Sequence, residues 1–301
     1  MQVWPRAVVG VHVAIAMHLL AVVSAFVLTS QQPPVWLALA PAVALLWLVI
    51  TLRRYVRRWR MVRTPMPASW RTILDRRVPF YRGLDDEGRR RFENDLRIFL
   101  TEQHIYGAHG VTVDDETRVL IGASAAMLGH GLPSFEWPNV RDIVVYPGTF
   151  DEEYATGKGT ETISGMVHRQ GPVLFSKRDL CHGFRRADDG HNVGLHELAH
   201  VMDMGTGYAD GLPVGLSWVA TAPWIEVMAD RLARVRRRRY RHVLRDYAGV
   251  DEAELFAVAV EVFFEQPQRL RARDPELYRM LAAYFGQDPA RGSDAASEPP
   301  A

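Results

Sequence analysis

Asn192-Val193-Gly194-Leu195-His196-Glu197-Leu198-Ala199-His200-Val201-Met202-Asp203 is the stretch on which the reading of this 301-residue chain turns. At helical pitch, positions i and i+4 share a face, so the imidazoles of His196 and His200 can reach one point. Glu197, one step round, stands beside them. The histidines interrupt Val193, Leu195, Leu198, Val201 and Met202, which predicts a buried face. A buried imidazole pair beside a carboxylate is costly without partners, and a metal ion satisfies all three groups. Zn2+ is the ion this spacing suits. Held by three protein ligands, it polarises a carbonyl and lowers the pKa of water to ~7, while a carboxylate accepts and passes on the proton. The chemistry expected is hydrolysis of a peptide bond in a peptide or protein substrate, with Glu197 as the base.

The class of metal site depends on the third ligand. A metzincin would carry Gly and His at positions 203 and 206, where this chain has Asp203 and Thr206. Cys181 is the only cysteine, so neither an intrachain disulfide nor a cysteine-based zinc site can form. His242 follows a run of arginines and reads as exposed. A carboxylate is therefore expected, and Asp203, Asp210, Glu226, Glu254 and Glu261 are all open. Asp203 follows His200 on the ligand face, where it suits a partner for an imidazole N–H. Glu254 and Glu261 share a face of the helix expected over Asp251 to Glu265.

Outward from this motif, the pattern predicts helices over Asp85–Gln103, Asp115–Leu128, His191–Met204, Pro223–Tyr240, Asp251–Glu265 and Pro275–Phe285. Short β-branched runs predict strands at Asp142–Pro147, Ser164–Arg169 and Pro172–Ser176. Helices, then strands, then helices give an α+β class, mainly helical with a small sheet. The small, polar, Pro-containing ending, 288–301, reads as a disordered tail. A net charge of +1 gives no global drive towards nucleic acid. Arg231, Arg234, Arg236, Arg237, Arg238, Arg239 and Arg241 form a local basic run, but no nucleic-acid module accompanies them, so a solvated face or contact with lipid headgroups is expected.

The N-terminal part is a different polymer. From Ala7 to Leu52 there is no Asp, Glu, Lys or Arg, and the turn Ser30-Gln31-Gln32-Pro33-Pro34 divides the stretch into spans of about 7–28 and 35–52. Crossing ~30 Å of hydrocarbon takes ~20 residues. Two transmembrane helices in a hairpin are expected, in contact with membrane lipids. Arg53, Arg54, Arg57, Arg58, Arg60 and Arg63 follow at once, and positive charge is retained on the cytoplasmic side. The expected organisation is a hairpin with a basic juxtamembrane segment over 1–62, a linker over 63–79 and a catalytic domain over 80–287. The protein is expected to be multi-pass in the inner (cytoplasmic) membrane, with that domain facing the cytoplasm.

Several ordered motifs together resemble the Mlc titration factor A family of zinc-dependent peptidases, a gluzincin-like group. They are Asn192–Asp203, Val144-Val145-Tyr146-Pro147, Gln170–Ser176, Asp246-Tyr247-Ala248, and Ala253 through Glu254 and Glu261 to Pro267. The resemblance covers roughly Val78 to Phe285 and implies a zincin-like fold. It also implies that His196, His200 and Glu254 are the zinc ligands, Glu197 the catalytic base and Tyr247 the donor to the oxyanion. Asp203 and Glu261 are then supporting residues around the ligands. Pro172, Val173 and Leu174 are expected to form the strand on which an extended peptide pairs. Aminopeptidase activity is one form the resemblance implies. Members have been linked to a cytoplasmic transcriptional regulator of sugar uptake, so a regulator partner is implied by resemblance alone. Sequestration of such a regulator at the membrane by a metal-binding interaction protein is the competing function.

Overall fold

The computed structural model describes residues 1–29, 35–132, 134–137, 140, 142–149, 164–167, 171–237 and 243–291, and the side chains of 35–40 and 206 are outside that description. The chain divides into two units, Met1–Pro65 and Met66–Ala301. Of the expected tail, Asp288 to Arg291 are described and packed, with Tyr278 Oη donating to Asp288 Oδ1 at 2.6 Å and Ala290 fully buried; residues 292–301 and the Ser30–Pro34 turn lie outside the described residues.

Unbroken apolar sequence makes the first unit helical. α1 (Arg6–Thr29) and α2 (Val35–Arg63) pack on each other. Trp4 lies 6.3 Å from Tyr55 and His12 5.9 Å from Trp47, ring centre to ring centre. Arg58 donates from Nη1 to the Gln2 carbonyl at 2.7 Å. Among the described residues one helix, the 24-residue α1, is long and apolar enough to cross a membrane. The sequence led us to expect two spans. The second, 35–52, is instead the apolar beginning of a 29-residue helix that continues through all six arginines to Arg63. Arginine is a good helix former, and no Gly or Pro intervenes to stop the helix at the expected interface.

The second unit begins where a linker was expected. α3 (Ala68–Arg77) and α4 (Pro79–Arg82) form there because Leu74 and Val78 are fully buried, and α3 packs on α6 (Asp115–Gly129). Then come α5 (Asp86–Glu102), β1 (His104–Gly107), β2 (Asp142–Tyr146), β3 (Gly165–Val167), β4 (Val173–Ser176), α7 (Lys177–Gly183), α8 (Val193–Asp203), α9 (Trp218–Arg236), α10 (Glu252–Glu265), α11 (Pro267–Arg273) and α12 (Pro275–Phe285). The unit is α+β, helical with one small mixed sheet. Strand order is β1-β2-β4-β3, with β1, β2 and β4 parallel and β3 antiparallel to β4.

Helix starts follow capping chemistry, with a side-chain oxygen accepting from a backbone N–H of the first turn. Asp85 caps α5, Asp114 α6, Asn192 α8, Asp251 α10 and Asp274 α12. Ser217 caps α9, which therefore starts at Trp218 rather than at Pro223, where the sequence had suggested; Pro223 lies inside the helix. α8 sits centrally, against α6, α7, α10, β3 and β4. Its approach to α6 requires Gly194, where a Cβ would fall 2.2 Å from Ser124 Oγ. α10 is buried nearly all round, with Leu255, Phe256, Val258, Ala259 and Phe263 fully enclosed. Burying a side chain as large as Phe256 or Phe263 contributes about 2–3 kcal/mol. Phe256 meets Trp224 and Tyr284, and Phe263 meets Tyr278 and Phe285, so these rings fasten α10 to α9 and α12 while it also packs on α8.

Candidate metal centre

α8 brings His196 and His200 to one buried face, at 7% and 8% exposure. Their Nε2 atoms lie 3.2 Å apart. Glu254, in the first turn of α10, faces both, with Oε2 3.1 Å from His196 Nε2 and Oε1 3.4 Å from His200 Nε2. Among the described residues these three form a cluster able to hold a metal ion.

The donors fit such an ion. The two Nε2 atoms are 3.2 Å apart, near the ~3.3 Å between neighbouring donors on a tetrahedral zinc with ligands at ~2.0–2.1 Å, and one donor atom from each of the three residues lies within 4.8 Å of the others. Glu254 Oε2 is buried and without a hydrogen-bond partner although it lies close to His196. His196 Nδ1 lies 2.6 Å from Glu261 Oε1. A proton on Nδ1 donated to that carboxylate leaves the Nε2 lone pair pointing at the centre.

Charge favours a cation as well. Burial alone would lower the His196 pKa, but the Glu261, Glu254 and Glu197 carboxylates outweigh it and push it up to about 10. Burial would likewise raise Glu254 and Glu261, yet their cationic partners hold both well below the usual carboxylate range. The carboxylates around His196 thus favour positive charge at this point.

Glu197 is 4% exposed, and burial, aided by Glu254 and Glu261 against the opposing histidines, raises its pKa. Its carboxylate lies directly under Gly165 of β3, where a Cβ would meet Glu197 Oε1 at 2.4 Å. Tyr247 belongs to the 3-10 turn Asp246–Gly249. It is half-exposed, and its ring centre is 6.0 Å from that of His196. Burial of the phenol and the neighbouring Glu254 and Glu197 charges push its pKa up to about 12, so it remains an O–H donor.

Of the expected supporting residues, Glu261 lies against His196. Asp203, the last residue of α8, is fully buried, and the backbone of Gly211 and Asp210 offsets part of the cost of charging it. Burial is the main cause of its pKa rising to about 6. The expected substrate strand requires correction. Val173 and Leu174 of β4 are paired with β2 on one side and β3 on the other, so no edge is open at these two residues, and Pro172 precedes the strand. β3 takes the edge position instead, pairing among the described residues only with β4.

Three residues that the sequence reading did not single out complete the centre. Arg245 grips Glu261 with two bonds, Nη2 to Oε1 at 2.6 Å and Nη1 to Oε2 at 3.0 Å. Asn192 donates its backbone N–H to Glu261 Oε2 at 2.7 Å and its side-chain amide to Glu265 Oε1 at 3.0 Å. Glu265 Oε2 also accepts from Gly190 N and His191 N, each at 3.0 Å. Burial, with Glu261 and Asp189 nearby, pushes the Glu265 pKa up to about 8. Spacing could have pointed to Glu265, since 254, 261 and 265 fall on one helical stripe. The basic run is partly absorbed by the fold. Arg231 is buried against Asp274 and Glu276, Arg234 pairs with Asp230, and Arg236 donates to the Gly249 and Val250 carbonyls. Arg238, Arg239, Arg241 and His242 lie outside the described residues.

Residues 52–286 match the family profile described as glucose-regulated metallo-peptidase M90. An uncharacterized protein of Synechocystis is 29% identical over 245 residues, covering 77% of this chain and 89% of the relative. Mlc titration factor A of Cronobacter sakazakii is 28% identical over 241 residues, covering 74% and 87%. The protein of the same name in Yersinia enterocolitica is 27% identical over 239 residues, covering 74% and 87%.

Proposed function

The chain belongs to the glucose-regulated metallo-peptidase M90 family, and from that premise we propose that it is a zinc-dependent peptidase whose ion is held by His196, His200 and Glu254. The observation that carries this reading is the convergence of His196 Nε2, His200 Nε2 and the Glu254 carboxylate at 3.1–3.4 Å. A zinc ion there supplies Lewis acidity towards a peptide carbonyl and towards water.

The remaining steps belong to the chain. Glu197, its pKa raised by burial and like charge, takes a proton from water and delivers it to the departing amine. Tyr247, which stays a phenol, donates to the oxygen on which charge develops. Glu261 keeps His196 oriented. The outer edge of β3, with Gly165 over Glu197, lets an extended peptide pair through its main chain. An aminopeptidase is the narrower form of this reading, and peptides with free and with acetylated N-termini separate the two.

α1 supports attachment to the inner membrane, and the arginines of α2 support a cytoplasmic position for the metal centre. The relatives' name, Mlc titration factor A, favours a second reading, in which this chain binds a transcriptional regulator and holds it at the membrane. Zinc content and hydrolysis of a peptide library, compared between wild type and Glu197→Gln, decide between them. Retained zinc with lost hydrolysis in the variant is the expected result. A wild-type protein that holds zinc yet cleaves no peptide sinks the peptidase reading and leaves the sequestering one.

A further inference from the structure

We infer that Arg245 is the positioning residue of the metal centre, fixing His196 through Glu261 and tying the Tyr247 turn to the same anchor; this rests on the metal-binding reading above.

The argument begins with Glu261, which is 1% exposed on an otherwise apolar stretch of α10. A carboxylate enclosed in that way is costly unless its charge and lone pairs are met. Its own helix supplies no cation: the neighbours Phe256, Val258, Val260, Val262 and Phe264 are all apolar. Arg245 comes from outside α10, just before the 3-10 turn, and meets both oxygens in the planar fork that suits a carboxylate. With Asn192 N on Oε2 and His196 Nδ1 on Oε1, the carboxylate has no freedom to rotate. The tautomer and ring plane of His196 are then inherited from the guanidinium.

The same guanidinium does more than meet a charge. Nη1 also donates to the Gly190 carbonyl at 3.0 Å, and Nη2 stands 3.5 Å from His196 Nδ1. Its carbon lies 5.9 Å from the centre of the Tyr247 ring, two residues along. Arg245 thus joins the loop that enters α8, the supporting carboxylate of α10 and the segment carrying the phenol. Lysine at this position would keep the charge and lose the fork, so it should restore only part of the function.

The test uses the full chain in detergent or nanodiscs and measures zinc affinity by competition with a chromophoric chelator. Arg245→Met is expected to weaken zinc binding about 10–100-fold, the range seen when groups behind metal-ligating histidines are removed, with Arg245→Lys in between. The decisive readout is a double-mutant cycle. Once Glu261→Gln has removed the acceptor, adding Arg245→Met should change affinity by less than about twofold, because the two residues act as one unit. Cobalt substituted for zinc should show the same shifted absorption bands in Arg245→Met and Glu261→Gln. Wild type that binds zinc, with Arg245→Met and Arg245→Lys both within twofold of it, overturns the role of Arg245 alone. Fully additive losses in the cycle overturn it too. Wild type that binds no zinc overturns the metal reading and this inference with it.

Discussion

α8 and α10 lie against each other, are buried to a similar degree, and divide the chemistry unequally. α8 carries two of the three proposed ligands and the proposed base within five consecutive residues, His196 to His200. α10 carries Glu254, Glu261 and Glu265 over three turns, each serving a different part of α8 or its entry loop. On the proposed reading, α8 supplies two ligands and the base, while α10 supplies the third ligand, with Glu261 and Glu265 for charge balance and orientation. Chemistry that is local in sequence announces itself as a motif, whereas support that is spread over a helix acquires meaning only against its partner.

That division can be broken at either helix. The largest effect is expected on α8, where Glu197→Gln should lower kcat on a peptide substrate about 10²–10⁴-fold while zinc content stays stoichiometric. Next is Tyr247→Phe, beside both helices. Losing one donor to a developing oxyanion costs about 10²-fold in kcat, and KM should change little in the same steady-state assay. On α10, Glu261→Gln should weaken zinc about 10–100-fold in chelator competition; an unchanged affinity would make α10 a scaffold and nothing more.

Two stability measurements sharpen the contrast. Gly194→Ala places a methyl group 2.2 Å from Ser124 Oγ and should destabilise by about 1–3 kcal/mol in denaturant melts, lowering zinc occupancy with it. Asp114→Ala, at the cap of α6, is expected to cost about 1 kcal/mol and leave the metal centre intact. Burial would raise the Asp114 pKa, but Lys177 and Thr117 outweigh it and hold it at about 2. A carboxylate whose folded pKa is depressed stabilises above its unfolded value of ~3.9 and loses that contribution as pH falls through the folded one. The melting difference between wild type and Asp114→Ala should therefore shrink between about pH 4 and pH 2.

Much of the fold was legible where a local rule governs it. Acidic and polar caps marked α5, α6, α8, α10 and α12, and β-branched runs marked β2 and β4. What escaped depended on partners distant in sequence. Residues 68–77 read as a linker because only packing against α6 makes Leu74 a core residue. The edge assignment failed because a strand's own residues do not say which neighbour it pairs with: a strand over Ser164–Arg169 was expected, but only the fold shows that it covers β4. Within the site, the histidines and Glu197 followed from spacing, and resemblance selected Glu254. Arg245 was hidden among a chain rich in arginine. Its one local signal is its place directly before Asp246-Tyr247-Ala248; by residue type alone it reads like Arg231, which is buried in an ion-pair cluster with Asp274 and Glu276.

Glu261 follows His196 by 65 residues, and this separation orders events during synthesis. When α8 leaves the ribosome, its histidines have no carboxylate opposite them and no partner for Nδ1. Both arrive only with α10, after α9 and the Tyr247 turn have been made. The apolar N-terminal helix, in contrast, is available from the start. On the proposed membrane attachment, anchoring precedes completion of the proposed metal centre, and a nascent chain stalled before Glu254 carries the anchor without the third proposed ligand.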